Sequence, residues 1–193
     1  MARRLNVGCG NDIRPTAEGW VNMDLIQLPG VDVVHDMMDL PWPFPDEHFD
    51  LVLAKHVLEH VPHTFPGRKR DGFLLWMEEV HRVLKPDGRF ECVVPYYRHD
   101  GYWIDPTHTR TVHPSNFFYL TPESHENFYT WARFRVEQQR KVGRDFSILG
   151  GRVNAWHLQR YLRLRSLPFF RGANELHVTL RKLPGDPAWK GLR

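Results

Sequence analysis

The chain has only two cysteines, Cys9 and Cys92, among its 193 residues. Two are too few for a disulfide framework and they lack the paired spacing of a zinc site, so the expected home is a reducing one, the cytoplasm. Long apolar runs are missing as well. No stretch approaches the ~20 apolar residues of a membrane helix, and Arg3-Arg4-Leu5-Asn6-Val7 enters a strand-like segment without an export signal's apolar core. Neither a membrane span nor an exported product is expected. No Gly-Lys-Ser/Thr follows a glycine loop, which removes the P-loop nucleotidases, and the sequence has no internal repeat or low-complexity stretch.

What remains is ordinary globular material. The residues are 41% apolar and 25% charged, which excludes a disordered or collagen-like chain, and the length suits one domain. The net charge of +3 conceals an asymmetry: residues 1–95 carry 10 Lys/Arg against 15 Asp/Glu, whereas residues 96–193 carry 16 against 8. An acidic partner would therefore meet the second half.

Leu5-Asn6-Val7 reads as a short buried strand running into a tight turn at Gly8-Cys9-Gly10. Further strands are expected at Val21–Leu25, Val31–Val34, Phe49–Ala54 and Phe90–Val94. Between Asp71 and Leu84 the period changes: Phe73, Met77, Val80 and Leu84 form one stripe of an amphipathic helix, which Pro86-Asp87-Gly88 ends. Strand, crossover and strand in that order imply a parallel sheet covered by helices. Residues 96–130, rich in aromatics, His, Pro and Thr, show no sustained period and read as an irregular insertion over one sheet edge. Phe134–Val142 and Glu175–Leu183 would add an antiparallel ribbon, with a short helix at Ala155–Leu164 between them and a frayed tail from Pro184.

Chemistry starts at Gly8-x-Gly10. Glycines let a ligand approach the backbone, and Asp24, at the end of the second strand, can take both hydroxyls of a ribose. A dinucleotide site would continue the glycine pattern into a helix aimed at the pyrophosphate, but position 13 is Ile and only ten residues separate Gly10 from Val21. A nucleoside ligand without phosphate fits what is left.

At this point five ordered blocks carry a resemblance: Leu5-Asn6-Val7-Gly8-Cys9-Gly10; Val21-Asn22-Met23-Asp24; Asp36 to Pro41 leading into Pro45 to Val52; His56-Val57-Leu58-Glu59-His60-Val61; and Glu79 to Arg89. Over roughly residues 4–95 the chain resembles the class I S-adenosylmethionine-dependent methyltransferases, in particular the group called methyltransferase type 11. The resemblance implies a Rossmann-like, mostly parallel seven-stranded sheet with helices on both faces and an irregular insertion after the fifth strand. It further implies S-adenosylmethionine as cofactor and S-adenosylhomocysteine as its product.

Carried over by position, Gly8 and Gly10 would admit the methionyl part, with Asn6, Cys9 and Asn11 as neighbours. Asp24 would bind the ribose diol beside Leu25, Asp36 would face the adenine amino group, Met37 would pack on the ring, and Ala54, Lys55 and His56 would floor the pocket beside the sulfonium. The shortened segment between Gly10 and Val21 departs from the family, with Arg14 as a candidate to hold the cofactor carboxylate.

Asp50, Glu59 and His60 are read as structural residues that pack and bond nearby backbone. Methyl transfer needs alignment, exclusion of water and, for a neutral hydroxyl or amine, a base. The insertion supplies the candidates: His108, which Asp105 could orient, then His99, with His56 from the cofactor half. A rival reading makes His99, Asp105, His108 and His113 metal ligands, but their spacing matches no signature and no metal is expected. Trp103, Phe117, Phe118, Tyr119, Phe128, Tyr129 and Trp131 read as the small core of a lid.

The arginines from Arg133 to Arg171 would suit phosphate, yet the alternation Arg133-Phe134-Arg135-Val136 is that of a solvated sheet face. The Asn/Asp-Pro-Pro-Tyr tetrapeptide of many enzymes that methylate base amino groups is absent after the fourth strand. The expected organisation is one domain: a cofactor half over 1–95, an insertion over 96–130 on the substrate side, carboxy-terminal strands and helix over 131–183, and a tail over 184–193. The expected activity is methyl transfer to an oxygen or nitrogen of a small molecule. A nucleic-acid or protein acceptor and a non-catalytic cofactor-binding module are the alternatives, and oligomeric state is not readable.

Overall fold

Seven strands form one sheet in the order β3-β2-β1-β4-β5-β7-β6. The computed structural model describes residues 2–125, 127–143, 174–186 and 188–189. β1 is Arg4–Val7, β2 Trp20–Asp24, β3 Val33–Val34, β4 Phe49–Lys55, α1 Gly72–Val83, β5 Leu84–Pro95, α2 Pro114–Phe118, β6 Phe134–Val142 and β7 Glu175–Lys182. The first five strands pair in parallel, and β7 runs antiparallel to both β5 and β6. The mixed Rossmann-like sheet read from the sequence is the observed one. Helix is scarcer than expected: among the described residues α1 is the one long helix, and the rest are α2 and three short 3-10 segments. The helix expected at 155–164 lies outside the described residues.

α1 forms where the period put it. Asp71 caps it by accepting from the Phe73 N–H at 2.9 Å, and Phe73, Met77 and Val80 bury their stripe together with Trp76. The break expected at Pro86-Asp87-Gly88 is an irregularity inside β5, where Asp87 takes φ 61° and the pairing with β4 jumps from Phe49–Leu84 to Leu51–Arg89. Two expectations fail. The tail is not frayed at its start: Asp186 accepts from Arg133 at 2.9 Å, its N–H donates to the Trp131 carbonyl at 2.9 Å, and Trp189 donates to the Phe128 carbonyl. Nor do the aromatics of the insertion make a core of their own. Phe117 is buried against Phe73 in the main core, whereas Trp103, Phe118, Phe128 and Tyr129 are exposed. α2 is a little over one turn long, so only one of its two adjacent phenylalanines can face inward.

This topology sets up the site. β1 lies between β2 and β4, so the strand order reverses there, and the carboxyl ends of β1, β2, β4 and β5 meet at one edge. β7 is antiparallel, and its first residue, Glu175, pairs with the last of β5, Pro95. The chain thus delivers Glu175 to that same edge.

Candidate active site

Two cavities open at this edge. The first, of about 380 Å³, is lined by Gly8, Asp24, Leu25, His35, Asp36, Met37, Met38, His56, Val57 and His60. Gly8 follows β1 at φ 60°, and a Cβ there would stand 2.7 Å from Val57 Cγ2, so only glycine leaves both backbone and cavity undisturbed. The Gly10 N–H donates to Asp24 Oδ2 at 2.7 Å and the Ile26 N–H to Oδ1 at 3.1 Å, fixing the carboxylate at the end of β2. Asp36 is fixed likewise by the Met38 N–H at 2.8 Å.

Of the cofactor residues expected from sequence, Gly8, Asp24, Leu25, Asp36, Met37 and His56 line this cavity, and Gly10 joins it through Asp24. Asn6, Cys9, Asn11, Arg14, Ala54 and Lys55 do not line it, Ala54 being buried in the core. Asn6 is buried and its amide donates to the Asp12 carbonyl and to Asn22 Oδ1 at 2.8 and 3.1 Å. Cys9 is buried, and desolvation pushes its thiol up to about 11. Lys55 pairs with Asp12 at 2.8 Å, which holds the Asp12 carboxyl below the usual range. Asn11 is exposed. Arg14 also turns to Asp12, at 3.1 Å. The short loop that replaces a helix is held by Asn22 instead: its side chain accepts from the Arg14 N–H and donates to the Arg14 carbonyl, each at 2.9 Å.

The second cavity, of about 400 Å³, is lined by His56, Glu59, His60, Pro95, His99, Asp105, His108, Asn174 and Glu175. His56 and His60 line both, so the two spaces share a wall. All three expected catalytic histidines, His56, His99 and His108, line this second cavity.

His56 sits just past β4 at φ 55°, a left-handed backbone that a residue with a Cβ rarely adopts. Its ring lies between two carboxylates: Nδ1 is 3.4 Å from Glu59 Oε1 and Nε2 is 3.2 Å from Glu175 Oε1. Glu59 foremost, then Glu175, raises the His56 pKa against the opposing cost of burial. His56 is thereby biased toward a cation that bridges the carboxylates. His108 is held by Nδ1 against the Tyr102 carbonyl at 2.7 Å, with Nε2 3.8 Å from Asp105. Asp105 stands near His108 without a hydrogen bond to it and accepts from Thr107, whose hydrogen bonds hold the Asp105 carboxyl below the usual range.

Sequence reasoning missed three members. Glu59 and His60 were read as packing residues, yet both line the cavity, and the Glu59 carboxylate is fully buried without a hydrogen bond. Glu175 carried no local signal; only the antiparallel register reveals it. The insertion is fastened here because the Thr109 and Arg110 N–H groups both donate to the Glu59 carbonyl, at 2.9 and 3.0 Å. Asp50 is structural as read, accepting from the Arg3 N–H at 2.7 Å and from Lys85 at 2.8 Å. His113 lines neither of the two cavities; its ring accepts from the Ser115 N–H and caps α2. Arg133 is buried and paired with Asp186, so the solvated basic face excludes it.

Residues 5–92 match the family model described as a methyltransferase domain. Over this stretch, a little under half of its length, the chain is similar to that family. The matched stretch covers the glycine turn, Asp24, Asp36 and the whole 56–60 segment, and stops before the insertion. No curated protein matches the chain in sequence.

Solved structures share the fold over nearly all of it. A SAM dependent methyltransferase from Archaeoglobus fulgidus is 18% identical, with a TM-score of 0.59, over 94% of this chain and 86% of that one. The 1,6-didemethyltoxoflavin-N1-methyltransferase of Burkholderia thailandensis, solved with 1,6-didemethyltoxoflavin and S-adenosylhomocysteine bound, is 18% identical at a TM-score of 0.53, covering 94% and 71%. The 4+2 cyclase SpnF, 19% identical, also superposes at 0.54 over 95% and 75%, so the fold by itself does not set the reaction. No helix among the described residues is long and apolar enough to cross a membrane.

Proposed function

We propose that the protein is an S-adenosylmethionine-dependent methyltransferase acting on an oxygen or nitrogen of a small molecule, with the cofactor in the first cavity and the acceptor in the second. The observation that carries this reading is that His56 and His60 line both cavities, so the two ligand spaces lie side by side. The methyltransferase-domain match over residues 5–92 and a structural neighbour with S-adenosylhomocysteine bound support the choice of ligand.

The residues fit that ligand. Asp24 would take the ribose hydroxyls, its carboxylate already oriented by two backbone N–H groups. Asp36 and Met37 would hold the adenine, and Gly8 keeps the first cavity clear beside Val57. When bound, the cofactor supplies a methyl group on a positively charged sulfur. The protein's part is to align the acceptor, keep water out and receive a proton from a neutral acceptor, for which His108 and His99 stand in the second cavity. A cavity of about 400 Å³ suits a small molecule rather than a macromolecular segment.

The test is transfer of tritium from methyl-labelled S-adenosylmethionine into pooled phenols, carboxylic acids and amines, run beside RNA and protein extracts. Label in the small-molecule fraction is the expected result. Label confined to RNA or protein would replace the acceptor class, and bound cofactor without any transfer would make the chain a binding module.

A further inference from the structure

The second cavity holds a donor set that methyl transfer does not require. Glu59 is wholly inaccessible to solvent and neither of its carboxylate oxygens accepts a hydrogen bond. A buried carboxylate in that state is costly unless a cation faces it. The groups that face it are imidazoles at ion-pair range: His56 Nδ1 at 3.4 Å and His108 Nε2 at 4.0 Å.

The surrounding hydrogen bonds decide which ring nitrogens are bare. Thr107 Oγ1 donates to Asp105 Oδ1 at 2.6 Å, so toward His60 it can only accept. His60 Nδ1 lies 3.1 Å from that oxygen and 3.3 Å from the Thr107 carbonyl, both acceptors, and is therefore the protonated nitrogen. His108 Nδ1 faces the Tyr102 carbonyl at 2.7 Å and is protonated for the same reason. Each neutral ring then presents a bare Nε2, oriented by an outer acceptor as ligating histidines commonly are. One ligating atom from each of Glu59, His60 and His108 falls within 4.8 Å of the others.

We propose that Glu59, His60 and His108 bind a divalent transition-metal ion, of the class of Zn²⁺ or Fe²⁺. Two imidazoles and one carboxylate are the donor set of such ions with positions left open, and nitrogen donors disfavour Mg²⁺ and Ca²⁺. Asp105 and Thr107 orient His60, the Tyr102 carbonyl orients His108, and the clasp of Thr109 and Arg110 on the Glu59 carbonyl joins the two halves of the site. The ion would share the buried Glu59 carboxylate with the His56 ring. The site stands on this geometry alone; its use rests on the reading above, where its open positions would hold an acceptor hydroxyl and lower its pKa, with His108 a ligand in the loaded protein rather than the proton acceptor.

The experiment titrates the full-length, chelator-stripped protein, free of cofactor, with ZnCl2 by calorimetry and with CoCl2 by visible absorption. One equivalent should bind, and His60→Ala and His108→Gln should each weaken binding by about tenfold or more, while the exposed His125→Ala should not. These substitutions spare buried Glu59, and circular dichroism verifies their folding. Absence of binding, or binding unaltered in both site variants, overturns the proposal. S-adenosylhomocysteine titrated into the same sample separates the two readings: cofactor binding without metal binding removes only the metal site, and the converse removes only the cofactor assignment.

Discussion

Replacing Gly8 by alanine should cost markedly more than replacing Gly10, although both residues have positive φ. A left-handed backbone costs a residue with a Cβ about 1–2 kcal/mol. Gly10, at φ 49°, has nothing within 4 Å of an added Cβ, so Gly10→Ala should lose about 1 kcal/mol. At Gly8 the new Cβ would lie 2.7 Å from Cγ2 of Val57, which is itself buried and has only its χ1 rotation to yield. Overpacking of that kind adds about 1–3 kcal/mol, giving about 2–5 kcal/mol in all. For a chain of this length 1 kcal/mol moves Tm by about 2–4 °C. Thermal unfolding followed by circular dichroism should therefore separate the two variants by several degrees. Equal Tm values would refute the close approach of the glycine turn to Val57, and with it the shape of the first cavity.

Two further outcomes follow from buried polar groups. His81 is buried, and desolvation with Lys182 and Arg133 nearby lowers its pKa to about 4 although the Leu183 carbonyl favours its charged form. The unfolded chain takes up that proton first as pH falls, so the contribution of neutral His81 is complete above about 6.5 and declines toward 4, by about 3 kcal/mol in total; urea titrations of wild type and His81→Gln should converge by that amount across this window, and a constant difference would contradict it. Asn22→Ala leaves Asn6, Arg14 and Asp32 without their shared partner and should cost about 2–4 kcal/mol, measured the same way; a loss below about 0.5 kcal/mol would show that the loop does not depend on this network.

What was legible in the sequence was whatever short-range pattern decides. β1 announces itself because Leu5 and Val7 are followed at once by glycines, α1 because Phe73, Met77 and Val80 share a face, and β7 because Leu176, Val178 and Leu180 alternate. The first cavity was legible for the same reason, since each of its residues ends or follows a strand. The second was not. Glu175 reaches His56 only through the antiparallel register of β7, and Glu59 meets His108 across 49 positions because two backbone N–H groups of the insertion seek its carbonyl. Asn6 is bonded to the loop, at the Asp12 carbonyl and Asn22, and a polar residue inside a strand looks the same in sequence whether it serves a ligand or a loop.

The central claim, that the first cavity holds the cofactor by its ribose, is tested most directly by calorimetry with S-adenosylhomocysteine on wild type and Asp24→Asn. Asparagine keeps an acceptor for the Gly10 N–H while removing the charge. The account predicts binding to wild type and a loss of about 1–3 kcal/mol, roughly 5- to 150-fold in Kd, in the variant. No heat from wild type at millimolar ligand, or equal affinity in both proteins, would contradict it.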